Sequence, residues 1–245
     1  MSDMFLKAVS FGLHRSAGLR LVEPEIQGLK QVVGPGDVCF DIGAAYGMYS
    51  FPLAELVGKW GAVYSFEPQK KPHWIFSSLA RAMRNRNLSI TRGAVGENSI
   101  RKTVAVPVRF GFPIHGHAHV VDSEHPGSGS TAAGRVRTVG VDTFSVDEMR
   151  ERMGIRRVDF MKIDVEGYEP SVLAGAEETL NRFMPSLLME IEKRHLDRYG
   201  VEPEKFVRRL LDRGYGMYFW GGGSWRETAF MVDGVRNYLF VHRRR

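Results

Sequence analysis

The alternation of apolar and amphipathic segments constrains the fold of this 245-residue chain more than any other feature. Short apolar runs predict buried strands, and they cover residues 37–42, 61–67, 88–95, 158–163 and 186–191. Amphipathic stretches predict helices at 47–57, 71–85, 143–152, 169–182 and 203–213. Strands separated by helices of this length favour right-handed crossovers, so we expect a doubly wound α/β sheet with helices on both faces.

Three regions fall outside this alternation. Residues 1–35 are expected to form an N-terminal helical segment, and residues 36–245 the rest of a single globular domain. The tail from Tyr215 onward has glycine turns between β-rich runs, which predicts antiparallel C-terminal strands at one edge of the sheet. Residues 107–134 are rich in glycine, histidine, proline and serine, which predicts a long inserted loop.

Composition and charge argue against several classes of protein. No apolar run approaches the roughly 20 residues of a transmembrane segment, and the first residues lack a secretory pattern, so we expect a cytoplasmic protein. The single cysteine, Cys39, has no disulfide partner and is expected to be a buried thiol. A net charge of +6 is compatible with nucleic-acid binding, but mixed charges and the lack of an RNA-module signature argue against it.

Acidic residues stand at the carboxyl ends of four predicted strands, where ligands bind in an open parallel sheet. The first strand ends in Asp41 and a turn of small residues, 43–47, that lets the backbone approach a ligand at the start of a helix. The second strand ends at Glu67, whose carboxylate can accept two hydrogen bonds from a ribose diol. The later strands end at Asp164 with Glu166 and at Glu190 with Glu192.

The small-residue turn and the acid of the next strand suit either a dinucleotide or S-adenosylmethionine. The pattern G-x-G-x-x-G, aligned on Gly43, would need glycine at Ala45 and Met48, so the dinucleotide fingerprint is absent. Without a pyrophosphate to hold, one wide turn suffices for an adenosine that bears an amino acid. The sequence therefore favours S-adenosylmethionine, although a plain strand-to-helix turn and a solvated Glu67 would produce the same two features.

Four motifs, DIGAAYGMYS, SFEP, VDFMKIDVEGYEPSVLAGA and PSLLMEIEKRH, resemble in order and spacing those of FkbM-type S-adenosylmethionine-dependent methyltransferases. The resemblance implies a Rossmann-like class I methyltransferase sheet and O-methylation of sugars, glycolipids, oligosaccharides or secondary metabolites. VGVDTF resembles a further family motif, with valine in place of leucine. The resemblance implies cofactor binding by Asp41, Gly43, Ala44, Gly47, Glu67, Ala94, Val95 and Asp142.

Methyl transfer to an alcohol needs a group that removes the alcohol proton. Asp164 is the predicted base, with Glu166 beside it, and His195 is the alternative base just after the fifth strand. A carboxylate is by itself a weak base for a sugar hydroxyl, so a metal-bound alkoxide is another route. Asp164 and Glu190 would then bind Mg²⁺, whereas the simpler interpretation is that Glu190 only orients the base.

The loop 107–134 supplies the predicted contacts to the acceptor. His115, His117 and His119 alternate, and with Asp122 they offer hydrogen bonds that suit a polyol. A bound metal is the alternative, but the standard zinc spacing is absent. We therefore expect a small-molecule or saccharide acceptor and no nucleic-acid partner, and a homodimer is compatible with the sequence.

Two other functions stay open. A nucleic-acid or protein methyltransferase would share the cofactor half, but KIDVEG stands where many amino-directed enzymes carry an Asn-Pro-Pro-Tyr type loop, which favours oxygen as the acceptor. A non-catalytic S-adenosylmethionine-binding protein is the other alternative. Its sign would be the loss of Asp41 or Glu67, and both residues are present.

Overall fold

An eight-stranded sheet forms the centre of the protein in the computed structural model, which describes residues 2–18, 22–109, 112–113, 119–121 and 135–244. Five of its strands are parallel and lie within the predicted apolar runs: β1 (Val38–Ile42), β2 (Ala62–Phe66), β3 (Leu88–Thr91), β9 (Phe160–Ile163) and β10 (Ser186–Glu190). Their order in the sheet is β3-β2-β1-β9-β10. Because β1 pairs with β2 on one side and with β9 on the other, the strand order reverses at β1. Ligands bind at such a switch point in doubly wound sheets.

The predicted antiparallel edge is confirmed. The tail forms β11 (Tyr215–Gly221), β12 (Ser224–Thr228) and β13 (Asn237–His242), and β13 pairs with β10 in the antiparallel direction. β11 lies between β13 and β12, so the sheet continues as β10-β13-β11-β12.

Helices cover both faces of this sheet. One face packs against α1 (Ser2–Gly18), a 3-10 helix (Pro24–Gln31), α2 (Ser50–Val57) and α3 (Lys70–Ala82). The other face packs against α4 (Val146–Arg152), α5 (Glu169–Ala174), α6 (Glu177–Phe183), α7 (Lys193–Leu196) and α8 (Pro203–Asp212). Alternating side chains of each strand enter the two cores; in β1, Phe40 and Ile42 enter one and Cys39 the other.

A second, smaller sheet lies beside the first one. It contains β4 (Ala94–Val95), β5 (Arg101–Arg109), β6 (Phe112–Pro113), β7 (His119–Val121) and β8 (Arg135–Phe144). Val104 and Val120 of this sheet form a buried cluster with Tyr168 and Tyr199. The hydroxyl of Tyr199 donates a hydrogen bond of 2.6 Å to the Val120 carbonyl, and Lys102 Nζ lies 2.6 Å from the Tyr168 hydroxyl.

The second sheet corrects the predicted loop and two predicted elements. Strands β5, β6 and β7 contain residues of the stretch 107–134 that was expected to be an inserted loop. The predicted strand 88–95 is divided, because Ala94 and Val95 pair with β8 of the second sheet instead of continuing β3. β8 continues to Phe144, so the helix predicted from 143 begins only after Ser145, whose side chain accepts the Glu148 N–H.

One continuous helix was predicted at 169–182, but the structure has two helices there, α5 and α6.

No helix among the described residues is long and apolar enough to cross a membrane.

We predict that Tyr199→Phe weakens the attachment of the second sheet. The variant keeps the ring contact with Tyr168 but leaves the buried Val120 carbonyl without its tyrosine donor. The free energy of unfolding should fall by about 1–3 kcal/mol, measured by urea unfolding. Tyr46→Phe, at a ring that is 42% exposed, should change it by less than about 0.5 kcal/mol. Equal stabilities of the two variants would contradict this account.

Candidate active site

A cavity of about 300 Å³ opens at the carboxyl ends of the parallel strands. Ile42 and Phe66 line it from the ends of β1 and β2, and Glu190 lines it from the end of β10. Val104 and Val120 of the second sheet form the opposite wall. The cavity therefore lies between the second sheet and the strand ends at the switch point of the main sheet.

The turn after β1 is pressed against the end of β9. Gly43 has φ 87°, and a Cβ built on it would lie 1.8 Å from the carbonyl oxygen of Asp164. Only glycine therefore fits this position. The backbone N–H groups of Gly43 and Ala44 donate to the carbonyl of Phe66 at 3.0 Å, so the same turn is also tied to the end of β2.

Glu67 is held at the cavity by backbone donors. Its Oε2 accepts the N–H of Ala45 at 2.9 Å, and its Oε1 accepts the N–H of Gln69 at 2.7 Å. A carboxylate has about four acceptor positions, so it can accept further hydrogen bonds from a ligand in the cavity. Burial outweighs the two backbone hydrogen bonds and raises the pKa of Glu67 to about 7.

The other residues of the predicted cofactor set are divided by the structure. Ala94 and Val95 line the cavity with Gly43 and Glu67. Asp41, Ala44 and Gly47 do not line the cavity. Asp41 is buried and accepts a hydrogen bond from Ser50, and burial raises its pKa to about 6. Asp142 is exposed on β8, opposite Arg101, so the structure does not bring its side chain to the cavity.

Asp164 faces the cavity beside a buried lysine that the sequence analysis did not single out. Lys162 Nζ lies 3.2 Å from Asp164 Oδ2 and 3.3 Å from Asn237 Oδ1, and it sits 5.0 Å from the centre of the Tyr49 ring. Burial opposes the charge of Lys162, but Asp164 and Glu23 outweigh it and raise the lysine pKa. Lys162 therefore stays positively charged beside Asp164.

The segment after Asp164 forms a strained turn that positions Glu166. Glu166 has φ 57°, a left-handed conformation that is uncommon outside glycine. Gly167 follows with φ 102°, and a Cβ on it would lie 2.3 Å from the carbonyl oxygen of His195. The buried carboxylate of Glu169 accepts the N–H groups of Val165 and Gly167 at 3.0 and 3.2 Å. Glu169 therefore holds the turn, a role that its place in the sequence does not indicate.

The turn brings three predicted residues together. His195 Nε2 lies 3.1 Å from Glu166 Oε2, and His195 Nδ1 lies 3.3 Å from Glu190 Oε2. One ligand atom from each of Glu166, Glu190 and His195 lies within 4.8 Å of the others. Burial, followed by the charges of Glu190 and Asp164, raises the pKa of Glu166 to about 9.

The structure does not place the predicted metal pair, Asp164 and Glu190, in one group of possible metal ligands. Asp164 lies outside the group that could hold a metal and is paired with Lys162. Glu166 and His195, predicted as catalytic residues, take its place beside Glu190. The sequence signal for this set was the position of all three residues just after β9 and β10, but their separation could not be read from the spacing.

Of the four residues predicted to contact the acceptor, only His119 lies among the described residues. His119 lies in β7, is buried and lines the cavity. His115, His117 and Asp122 lie outside the described residues. Arg194 and Arg236 also line the cavity, and both contact Glu192.

We predict that Gly167→Ala destabilises the protein by more than the backbone strain of placing alanine at a positive φ. Gly154 also has a positive φ, 65°, but a Cβ there would meet nothing within 4 Å. Gly154→Ala should therefore cost about 1 kcal/mol of unfolding free energy from backbone strain. Gly167→Ala should cost more, about 2–4 kcal/mol, because its Cβ also collides with the His195 backbone. Urea unfolding measures both values, and equal costs would argue against the close contact.

Comparison with known proteins agrees with this architecture. A family model described as the methyltransferase FkbM domain matches residues 41–217. The solved structure of methyltransferase FkbM from Methylobacillus flagellatus KT is 17% identical with a TM-score of 0.52, over 89% of this chain and 50% of that chain. A SAM-dependent methyltransferase from Aquifex aeolicus is 18% identical with a TM-score of 0.46, over 98% of both chains. A search of curated proteins found no significant match.

These comparisons establish the fold and the family. This chain spans half the length of the Methylobacillus protein, and at this identity the likeness shows the fold alone. The fold is the Rossmann-like α/β sheet of class I methyltransferases, as predicted. Because the family model covers more than half of the sequence, the chain belongs to the FkbM methyltransferase family.

Proposed function

We propose that the protein transfers a methyl group from S-adenosylmethionine to a hydroxyl of a saccharide or related polyol. The observation that carries the proposal is one cavity that holds Glu67 at the end of β2 and Asp164 at the end of β9. Glu67 can accept hydrogen bonds from the ribose hydroxyls of a nucleoside, and Asp164 can accept the proton of an alcohol. Between them the Gly43 turn leaves backbone, without a side chain, at the surface of the cavity.

The residues present fit an adenosine-containing cofactor. Glu67 is buried and already anchored by two backbone N–H groups, so its orientation is fixed before a ribose diol binds. Ala94 and Val95 offer an apolar surface suited to a base, while Gly43 and Asp164 approach each other at the other side of β1. In this proposal Glu67 and Gly43 bind the cofactor directly, whereas Asp41 acts from beneath by holding Ser50 and the turn.

The cofactor, when bound, supplies the electrophilic methyl group, and the protein supplies orientation and a proton acceptor. We assign the proton of the acceptor hydroxyl to Asp164, the predicted base. Its side chain is 26% exposed and is held at its Oδ2 by Lys162, so the carboxylate is both reachable and fixed. The buried lysine stays positively charged beside it.

Polar groups around the rest of the cavity support a polyol acceptor. His119, Glu166 and Glu190 converge on it, and Arg194 and Arg236 stand among its lining residues. Such side chains can donate hydrogen bonds to several hydroxyls and accept hydrogen bonds from them. A flat apolar ring has no groups that could form these bonds. The polar lining of the cavity therefore supports a hydroxyl oxygen as the atom that is methylated.

We predict that the affinity for S-adenosylmethionine rises with pH up to about pH 7. The pKa of Glu67 is about 7 because of burial, so the side chain is protonated below that pH. Ribose hydroxyls donate to the carboxylate and favour its charged form, so binding should release a proton. The dissociation constant should therefore increase about tenfold for each pH unit below 7 and level off above it, as measured by calorimetry.

Glu67→Gln is the matched control for this titration. It keeps the size of the side chain but cannot lose a proton, so its affinity should be weaker and nearly independent of pH. A wild-type affinity that does not change across this pH range would remove Glu67 from the proposed ribose site.

We further predict that Asp164→Asn lowers methyl transfer by a factor of about 10² or more. The test uses a panel of methyl glycosides with S-adenosylmethionine, read by mass spectrometry. Binding of S-adenosylhomocysteine should change little, because the variant keeps the shape of the site. Asp197→Asn, at a surface acid paired with Lys193, should leave the rate unchanged. A fully active Asp164→Asn would show that another group accepts the proton.

A further inference from the structure

Glu166, Glu190 and His195 form a compact group whose role as a unit the methyl-transfer proposal leaves open. The three side chains come from two different strand ends, and the structure groups one ligand atom from each within 4.8 Å of the others. Glu166 and Glu190 are 9% exposed and His195 is 2% exposed. All three line the cavity, so the group is buried in the protein and open to a ligand on one side.

The contacts within this group are close, but they do not have the geometry of hydrogen bonds. The two ring nitrogens lie 3.1 and 3.3 Å from carboxylate oxygens. Yet both nitrogens and Glu190 Oε2 are buried without a hydrogen bond to any group in the part of the chain that the structure describes. Buried polar atoms are normally satisfied, so atoms in this state indicate a missing partner.

Three of the nearby cations pair with other acids, and a fourth, Arg198, donates to the backbone carbonyl of Glu166 at 3.3 Å. Lys162 Nζ lies 3.2 Å from Asp164, and Arg194 and Arg236 both contact Glu192. Two buried carboxylates this close cannot both be ionised without positive charge nearby, and His195 can supply at most one unit. A divalent cation would supply two.

The backbone holds the three ligands in place. Gly167 brings the strained turn of Glu166 against the His195 carbonyl, and Glu169 fixes that turn through two N–H groups. Glu190 ends a fully buried strand. Ligands that are oriented before the ion arrives lose little freedom on binding it.

We propose that Glu166, Glu190 and His195 bind a divalent transition-metal ion that orients the acceptor hydroxyl. The inference rests on the proposed function for the acceptor, but binding of the ion does not depend on methyl transfer. Two carboxylates and one imidazole favour Mn²⁺ or Zn²⁺ over Mg²⁺, which prefers oxygen ligands alone. This set replaces the Asp164 and Glu190 pair that the sequence suggested for Mg²⁺. The coordination positions not taken by protein face the cavity, and Asp164 remains outside the set as the proton acceptor.

The test is Mn²⁺ binding to the EDTA-treated full chain, followed by electron paramagnetic resonance. Wild type should bind one Mn²⁺ per chain, and Glu190→Gln should bind it at least tenfold more weakly. Asp164→Asn is the matched control, because it changes an acid beside the site but outside the ligand set, and its Mn²⁺ affinity should stay within about threefold. His195→Gln should repeat the loss, so that the conclusion does not depend on one variant.

Three results would overturn the proposal: no Mn²⁺ binding by wild type, equal affinity in Glu190→Gln and wild type, or a loss confined to Asp164→Asn. S-adenosylhomocysteine binding is measured on the same samples, with circular dichroism to confirm folding. If Mn²⁺ does not bind while S-adenosylhomocysteine does, the metal site is wrong and the methyltransferase proposal is untouched. If S-adenosylhomocysteine does not bind while Mn²⁺ does, the metal site stands and the methyltransferase proposal is wrong.

Discussion

Two close backbone contacts determine how the cavity is built. At Gly43 the turn after β1 meets the Asp164 carbonyl, and at Gly167 the turn after β9 meets the His195 carbonyl. Neither contact leaves room for a side chain, so three successive strand ends pack against one another through backbone alone. The side chains that follow these ends then reach the same cavity, and this packing brings Asp164, Glu166 and His195 around it.

Acidic side chains gather at the cavity, and the protein only partly supports their ionisation. Burial and neighbouring acids raise the pKa of Glu166 to about 9, while burial, despite three backbone hydrogen bonds, raises that of Glu169 to about 8. Lys162 compensates Asp164 from beneath. An environment of this kind stabilises a cation that enters it. The sulfonium of the proposed cofactor and the proposed metal ion are both cations, so the same electrostatic field serves both.

Sequence periodicity predicted the main sheet because its parallel strands β1, β9 and β10 are buried on both faces and read as apolar runs. It also placed the acids, since they follow those strands directly. The second sheet was missed because its long strands, β5 and β8, border the glycine- and histidine-rich stretch that reads as a loop. The grouping of Glu166 with His195 depends on a left-handed residue and a glycine contact between distant segments. Spacing along the chain does not encode such a contact, so Asp164 was paired with Glu190 instead. The pair of Lys162 with Asp164 was missed although the spacing could have shown it, because residues two apart along a strand lie on the same face.

The central claim is that this cavity binds the methyl donor between the ends of β1, β2 and β9. A crystal structure of the protein with S-adenosylhomocysteine tests it most directly. The account predicts the two ribose hydroxyls on the carboxylate of Glu67, the base beside Ala94 and Val95, and the sulfur on the Asp164 side of the cavity. A nucleoside bound elsewhere, or bound here with its ribose away from Glu67, would contradict it.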